Sequence, residues 1–453
     1  MIPRKLSDIA AAVDARLRGP DATVTSVSTD SRTIEVGGLF VALRGERSDG
    51  HAFVADALAR GAAGALVERD EVSGPVIEVS DTGRALLALA ADERRRMTSI
   101  TVVGITGANG KTSTKDLAAA VLGTRFRTHA SLASFNNEIG LPLTLLGADP
   151  TTELVVAELG ARREGDVAAL CAIARPDVVV VTNVGVAHLE IFGSWEAIVR
   201  AGAEPLEALG PDGVAVLNAD DLVVRGYAAA SGARVVTFGV ESDADVRGSD
   251  VELADDGRAS FVLQARGEGE RVELGVPGEH MVSNALAAAA CGIELGLSAA
   301  ECAAALKGAR VSAWRMETFT TRGGVVVVND AYNANPESMA AGLKTARWIA
   351  RRGRLAAVLG HMAELGPIAF EEHERLGELV VRIGVDRLVT VGEPALAIAR
   401  AAVREGQLPQ DVASYGDPDE AAKDVRAWAR AGDVVLVKGS RVAGLERLAE
   451  ALR

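Results

Sequence analysis

Short apolar runs rich in β-branched residues recur along this chain, each closed by small or polar residues and followed by an alanine-rich stretch with helical spacing. Leu154-Val155-Val156-Ala157-Glu158-Leu159, Val178-Val179-Val180-Val181-Thr182-Asn183 and Val214-Ala215-Val216-Leu217-Asn218 are continuous rather than alternating, the pattern of parallel strands buried on both faces. Strand and helix alternating in this way predict an α/β fold with mostly parallel sheets. Residues 1–98 alternate short strands, such as Gly38 to Leu43, with helices, such as His51 to Arg60, and predict a small α/β N-terminal domain. Its end, Asp92 to Met97, reads as a charged, solvated helix end and a linker. Residues 99–310 predict a central, phosphate-loop-type domain with a mostly parallel sheet, in which the alternating segment 235–276 forms a small antiparallel insert or edge. Residues 311–453 carry further apolar runs at 325–330, 355–360, 387–392 and 433–438, and predict a doubly wound, Rossmann-like C-terminal domain. No Gly-x-Gly-x-x-Gly follows the first of these, so a dinucleotide is not expected there.

One strand-to-helix junction carries chemistry. In Val102-Val103-Gly104-Ile105-Thr106-Gly107-Ala108-Asn109-Gly110-Lys111-Thr112-Ser113-Thr114, an apolar strand enters a glycine-rich turn and then a helix start. Glycines let backbone N–H groups approach phosphates, and the helix N-terminus adds partial positive charge. Lys111 can then reach the β- and γ-phosphates of a nucleoside triphosphate, and the Thr112 hydroxyl can hold Mg²⁺. Gly104, Gly107 and Gly110 are spaced three apart, whereas an ordinary phosphate loop would place its first glycine at Ile105. With no Asn-Lys-x-Asp segment to read guanine, the spacing favours a variant nucleotide-binding family over a GTPase or kinase.

Polar residues close the neighbouring strands, where ligands of α/β proteins bind. Glu158 ends one strand and His188 follows another, a carboxylate and an imidazole suited to Mg²⁺ directly or through water. Ser134 to Pro142, with adjacent Asn136 and Asn137, suits a sugar or peptide. Asn329 to Met339 combines Asp330, Tyr332, Asn333 and Asn335 at a helix start, and nearby Arg315 matches phosphate geometry. Gly360 to Gly366, with Glu364, could recognise an amine or carboxylate, and Lys438 to Arg441 is either a helix cap or an anion contact. The strings Ser28 to Arg32 and Arg44 to His51 are equally compatible with plain turns.

Composition narrows the partners. A net charge of −14 over 453 residues disfavours nucleic acid, which requires a basic surface. Cys171, Cys291 and Cys302 are far apart, without ligand spacing, and read as core residues of a reducing compartment. No leader-like apolar segment opens the chain and no apolar run is long enough to span a membrane, so a cytoplasmic monomer is expected.

Thr106 to Thr112, Asn136-Asn137-Glu138-Ile139-Gly140, Asn329 to Met339 and Met362-Ala363-Glu364-Leu365-Gly366 together resemble the Mur ligase family over essentially the whole chain. Within it, the chain is most similar to the members that add D-alanyl-D-alanine to UDP-N-acetylmuramoyl-tripeptide. It lacks the Asp-Asn-Pro-Arg motif of the sister enzymes that add the third peptide residue. The resemblance implies that ATP phosphorylates the tripeptide carboxylate with Mg²⁺, and that the dipeptide amine attacks the acyl phosphate, in peptidoglycan synthesis. It implies a UDP-substrate domain at 1–98, an ATP domain at 99–310, and a domain at 311–453 that closes on ATP and takes the dipeptide. Lys111, Glu158 and His188 would be catalytic, with Thr112, Glu158 and His188 as metal ligands. Gly107, Ala108, Asn109, Gly110, Lys111, Thr112, Ser113, Asn284, Arg315 and Asp330 would bind ATP. Ser31, Arg32, Asn136 and Asn137 would face the UDP-substrate, and Tyr332, Asn333, Asn335 and Glu364 the dipeptide. Two positions depart from the family pattern. Gly202 stands where the family usually carries a carbamylated lysine, and His280-Met281 replaces the usual His-Asn pair before Asn284.

Overall fold

The computed structural model describes every residue except 46, 47, 69–72, 230 and 352. Glu46 and Arg47, in the polar string at 44–51, therefore lie outside the described residues. The continuous apolar runs become the inner strands of three sheets. The first sheet orders Arg16–Arg18, Val76–Glu78, Gly64–Val67, Gly38–Val41 and Ser26–Ser28, parallel except at the Arg16–Arg18 edge. Arg4–Lys5 and Thr23–Val24 pair separately as a two-stranded ribbon.

The central sheet has nine strands. Thr101–Thr106 lies between Leu154–Glu158 and Val178–Val181, and all three run parallel. After Thr101–Thr106 the chain goes to the edge strand Thr128–Ala130 and returns inward to Leu154–Glu158 on one side, before crossing to Val178–Val181 on the other. That reversal opens a crevice above the carboxyl end of Thr101–Thr106, the standard ligand position of such sheets. The segment 235–276 is an edge of this sheet rather than an insert: Arg234–Gly239 pairs parallel with Val214–Asn218, and Val246–Leu253, Arg258–Ala265 and Glu268–Pro277 complete it, the last two antiparallel.

The third sheet orders Glu317–Thr320, Val326–Asp330, Val434–Lys438, Leu355–Gly360, Arg387–Val391 and Val412–Tyr415. All pairs are parallel except the first, so the doubly wound expectation holds.

The solvated-linker reading of Asp92 to Met97 holds for Arg95 and Arg96, which are exposed, and is corrected for Glu93, Arg94 and Met97. These residues end the helix Thr82–Arg96, in which Glu93 is fully buried beside Arg4. Arg94 donates to the carbonyls of Ala174 and Arg175 in the central unit, at 2.8 and 2.9 Å. Glu93 and Arg94 face inward, Arg94 supplying donors to backbone carbonyls at the seam, while Arg95 and Arg96 stay exposed. One apolar core accordingly runs through both units, joining Leu6, Leu39, Leu66 and Leu86 to Val102, Leu141, Val155 and Leu170. The third sheet has cores of its own on its two faces. Among the described residues, no helix is long and apolar enough to cross a membrane.

Candidate functional site

The turn from Thr101–Thr106 into the helix Lys111–Leu122 depends on two glycines in the left-handed region, Gly107 at φ +133° and Gly110 at φ +81°. A Cβ on Gly107 would run into Thr182 Oγ1, and one on Gly110 into the Asn284 amide, so both the backbone path and the close approach require glycine. Asn109 is held from below, where its amide donates to Asn183 Oδ1 at 2.7 Å and its carbonyl accepts from Thr182 Oγ1 at 2.7 Å. Lys111 Nζ folds over the turn onto the Gly107 and Ala108 carbonyls, at 2.5 and 3.2 Å. Desolvation pulls the Lys111 pKa down, the Glu158 charge opposes this and Arg315 adds to it. An added anion would act in the same sense as Glu158, favouring the charged ammonium.

Glu158 is 1 % exposed at the end of its strand. One carboxylate oxygen accepts from Thr112 Oγ1 at 2.7 Å and the other from Asn136 Nδ2 at 2.8 Å. Because Thr112 gives its proton to Glu158, an oxygen lone pair remains for a cation beside the contact with Ser134. Thr112 Oγ1 also lies 2.9 Å from Ser134 Oγ, which accepts from Arg315 Nη2 at 2.7 Å. The Arg315 guanidinium stacks on Tyr332 at 4.1 Å, leaving its buried Nε without a hydrogen-bond partner.

His188 caps a short helix with φ +58°, and its Nδ1 contacts the Glu364 carboxylate. Burial lowers its pKa despite Glu364, with Lys111 and Arg162 adding to the depression. The third unit closes the opposite wall. Asp330 pairs with Lys438 Nζ at 2.5 Å and accepts from the Met316 amide at 3.1 Å. Asn335 caps the helix Pro336–Ala350 through Ser338 and reaches across to Asn109 Oδ1 at 2.7 Å.

Together these groups line one cleft of ≈ 1140 Å³, which gathers Ala108 to Ser113, Asn136, Asn137, Glu158, His188, Asn284, Arg315, Asp330, Tyr332, Asn333, Asn335 and Glu364. Ser31 and Arg32 are not among its lining residues. Ser31 is buried in the first unit, and Arg32 is bound by Asp30, whose carboxyl it pulls down to about 2. Asn137, exposed, accepts the Gly140 amide on Oδ1 at 2.9 Å, and Asn136 donates Nδ2 to Glu158, which leaves Asn137 Nδ2 and Asn136 Oδ1 outside these bonds on the wall of the cleft. Ser134 and Lys438 are the functional positions the sequence underrates. Ser134 sits in a polar loop and joins Thr112 to Arg315, and the anion that Lys438 contacts is the Asp330 carboxylate of the protein itself.

The donors fit Mg²⁺. A buried carboxylate and a hydroxyl beside a phosphate-binding turn supply hard oxygens, and Mg²⁺ characteristically takes one or two carboxylates and completes its shell with phosphates and water. Among the described residues no three His, Cys, Asp or Glu side chains converge as a self-sufficient metal cage. Gly202 leaves no room for a lysine: a Cβ there would meet Tyr227 Oη at 2.6 Å and Val184 Cγ2 at 3.3 Å. The buried Tyr227 hydroxyl donates to the Val199 carbonyl at 2.6 Å and occupies that space. The other departure is absorbed, because Asn284 Nδ2 donates to Met281 Sδ at 3.4 Å while Asn284 Oδ1 accepts from Thr114.

This geometry has close counterparts. Residues 23–94 match the Mur ligase family catalytic domain, 105–292 the Mur ligase middle domain, and 314–441 the Mur ligase glutamate ligase domain. The UDP-N-acetylmuramoyl-tripeptide–D-alanyl-D-alanine ligase of Mycobacterium tuberculosis is 43% identical, covering 94% of this chain and 92% of that protein. A crystal structure of MurF from Acinetobacter baumannii superposes with a TM-score of 0.88 at 30% identity, covering 99% of this chain and 98% of the other. MurF ligase from Thermotoga maritima in complex with ADP gives 0.81 at 31% identity, covering 95% and 97%. With three domain matches in order, full-length likeness in sequence and superposition over nearly all of both chains, this chain belongs to the Mur ligase family.

Proposed function

We propose that this chain is an ATP-dependent ligase that joins D-alanyl-D-alanine to UDP-N-acetylmuramoyl-tripeptide in peptidoglycan synthesis. The observation that carries the reading is the chain of contacts from Thr112 through Glu158 and Ser134 to Arg315, beside Lys111, with two units converging on one cleft. In the reaction, a carboxylate oxygen of the tripeptide attacks the γ-phosphorus of ATP, giving ADP and an acyl phosphate. The dipeptide amine then attacks the acyl carbon, the tetrahedral intermediate expels phosphate, and the amine nitrogen loses its proton as the amide forms. Lys111 and Arg315 neutralise charge on the transferring phosphoryl group, and the turn at Gly107 to Gly110 orients it. Glu158, Thr112 and His188 would hold Mg²⁺, which supplies further charge neutralisation when bound. Asp330, positioned by Lys438, faces the nucleotide sugar, and Glu364 holds the imidazole of His188. Residues 1–98 take the UDP moiety, 99–310 take ATP, and 311–453 close the cleft and exclude water from the acyl phosphate.

Phosphate release from ATP tests this directly, with the tripeptide nucleotide and the dipeptide added separately and together. Sustained release only when both are present is the expected result. ATP binding with no release under any combination would reduce the chain to a nucleotide-binding relative without the reaction.

A further inference from the structure

The segment that delivers Arg315 is strained and tied at both ends. Trp314 and Met316, the residues on either side of Arg315, adopt φ values of +61° and +52°. Neither is a glycine, and bulky side chains in this region persist only where their surroundings impose it. At the far end, Met316 N donates to Asp330 Oδ1 at 3.1 Å. At the near end, Asp116 Oδ2 takes both donors of Ser312, the amide at 2.7 Å and the hydroxyl at 2.8 Å. Asp116 belongs to the phosphate-loop helix of the central unit, so this anchor crosses between units.

The other carboxylate oxygen of Asp116 meets Lys115 Nζ at 2.7 Å. The Lys115 side chain is 2 % exposed and donates to the carbonyls of Ser131 and Ala133, at 2.7 and 3.0 Å. Ala133 is itself left-handed, at φ +46°, and the next residue is Ser134, which accepts from Arg315. The circuit closes: the adjacent pair Lys115 and Asp116 fixes both the segment that carries Arg315 and the loop that receives it. Neither lines the cleft.

We propose that Lys115 and Asp116 are positioning residues that set Arg315 against the phosphate loop when the third unit is docked. The inference rests on the assignment of Arg315 to the phosphates. Severing the Asp116 tie lets the 312–316 segment relax toward ordinary backbone, which withdraws the guanidinium without touching substrate.

The test is a double-mutant cycle on the full-length enzyme, reading kcat, KM for ATP and Tm. Asp116→Asn is expected to lower kcat/KM for ATP about 10- to 100-fold, the scale of a misplaced catalytic group. In an Arg315→Ala background the same change should cost less than about threefold, because there is no guanidinium left to misplace. Ser312→Ala, which removes only the hydroxyl donor, serves if Asp116→Asn does not fold. Its loss should be smaller and should also vanish without Arg315. An equal factor in both backgrounds, or no loss from either substitution, would overturn the positioning role. An Arg315→Ala enzyme as active as its parent would instead remove the phosphate assignment, and the inference with it.

Discussion

Lys111 carries the phosphate chemistry on its own side chain, while the fold around it depends on the glycines and on Glu158. Lys111→Ala is therefore expected to lower kcat by at least about 100-fold while leaving Tm within a degree or two, as phosphate release and thermal denaturation will show. Retention of a tenth of the activity would contradict the assignment. The glycine-rich turn, Glu158 and His188 were legible as a sequence because their positions follow from strand-end chemistry. The hydrogen bonds of Asn136 to Glu158 and of Lys438 to Asp330 were not, since each joins segments whose approach only the folded sheets define. Gly202 shows the same division, because the missing lysine is visible in the sequence but Tyr227 in its place is not. Gly202→Ala should destabilise by about 1–3 kcal/mol in urea unfolding, and less in a Tyr227→Phe background, which removes the hydroxyl a new methyl would meet.

At the level of elements, burial overrode the apparent polarity of Glu93 and Arg94 in the helix Thr82–Arg96. Its Asp92-Glu93-Arg94-Arg95-Arg96 end resembles a solvated surface because charge spacing along a sequence does not say what lies opposite. The structure places the Ala174 and Arg175 carbonyls there, at the end of the helix Asp166–Ala174, and Arg94 satisfies them. Arg94→Ala would leave those carbonyls to weaker partners and should cost about 1–3 kcal/mol, read as a lower urea midpoint with an unchanged slope. The edge strands 246–277 were legible from their alternation, since one face stays solvated. The parallel pairing of Arg234–Gly239 was not, because a short strand with mixed burial fits either direction.

Across the whole molecule, the three sheets are joined unequally. The first and second share an apolar core, whereas the third meets the second mainly through polar ties: Asn335 to Asn109, Glu364 to His188, Arg315 to Ser134 and Ser312 to Asp116. Polar contacts of this kind exchange readily with water, so the third unit is the one able to swing. Glu364→Ala should raise the radius of gyration in small-angle scattering with nucleotide present and weaken nucleotide binding. An unchanged radius would place the hinge elsewhere. The shared core has a thermal consequence as well. Heating in a calorimeter should give two endotherms rather than three, because the first two units cannot lose their common interior separately. The third, lacking that bond, should melt as its own cooperative block, and nucleotide that spans the cleft should draw the two peaks together.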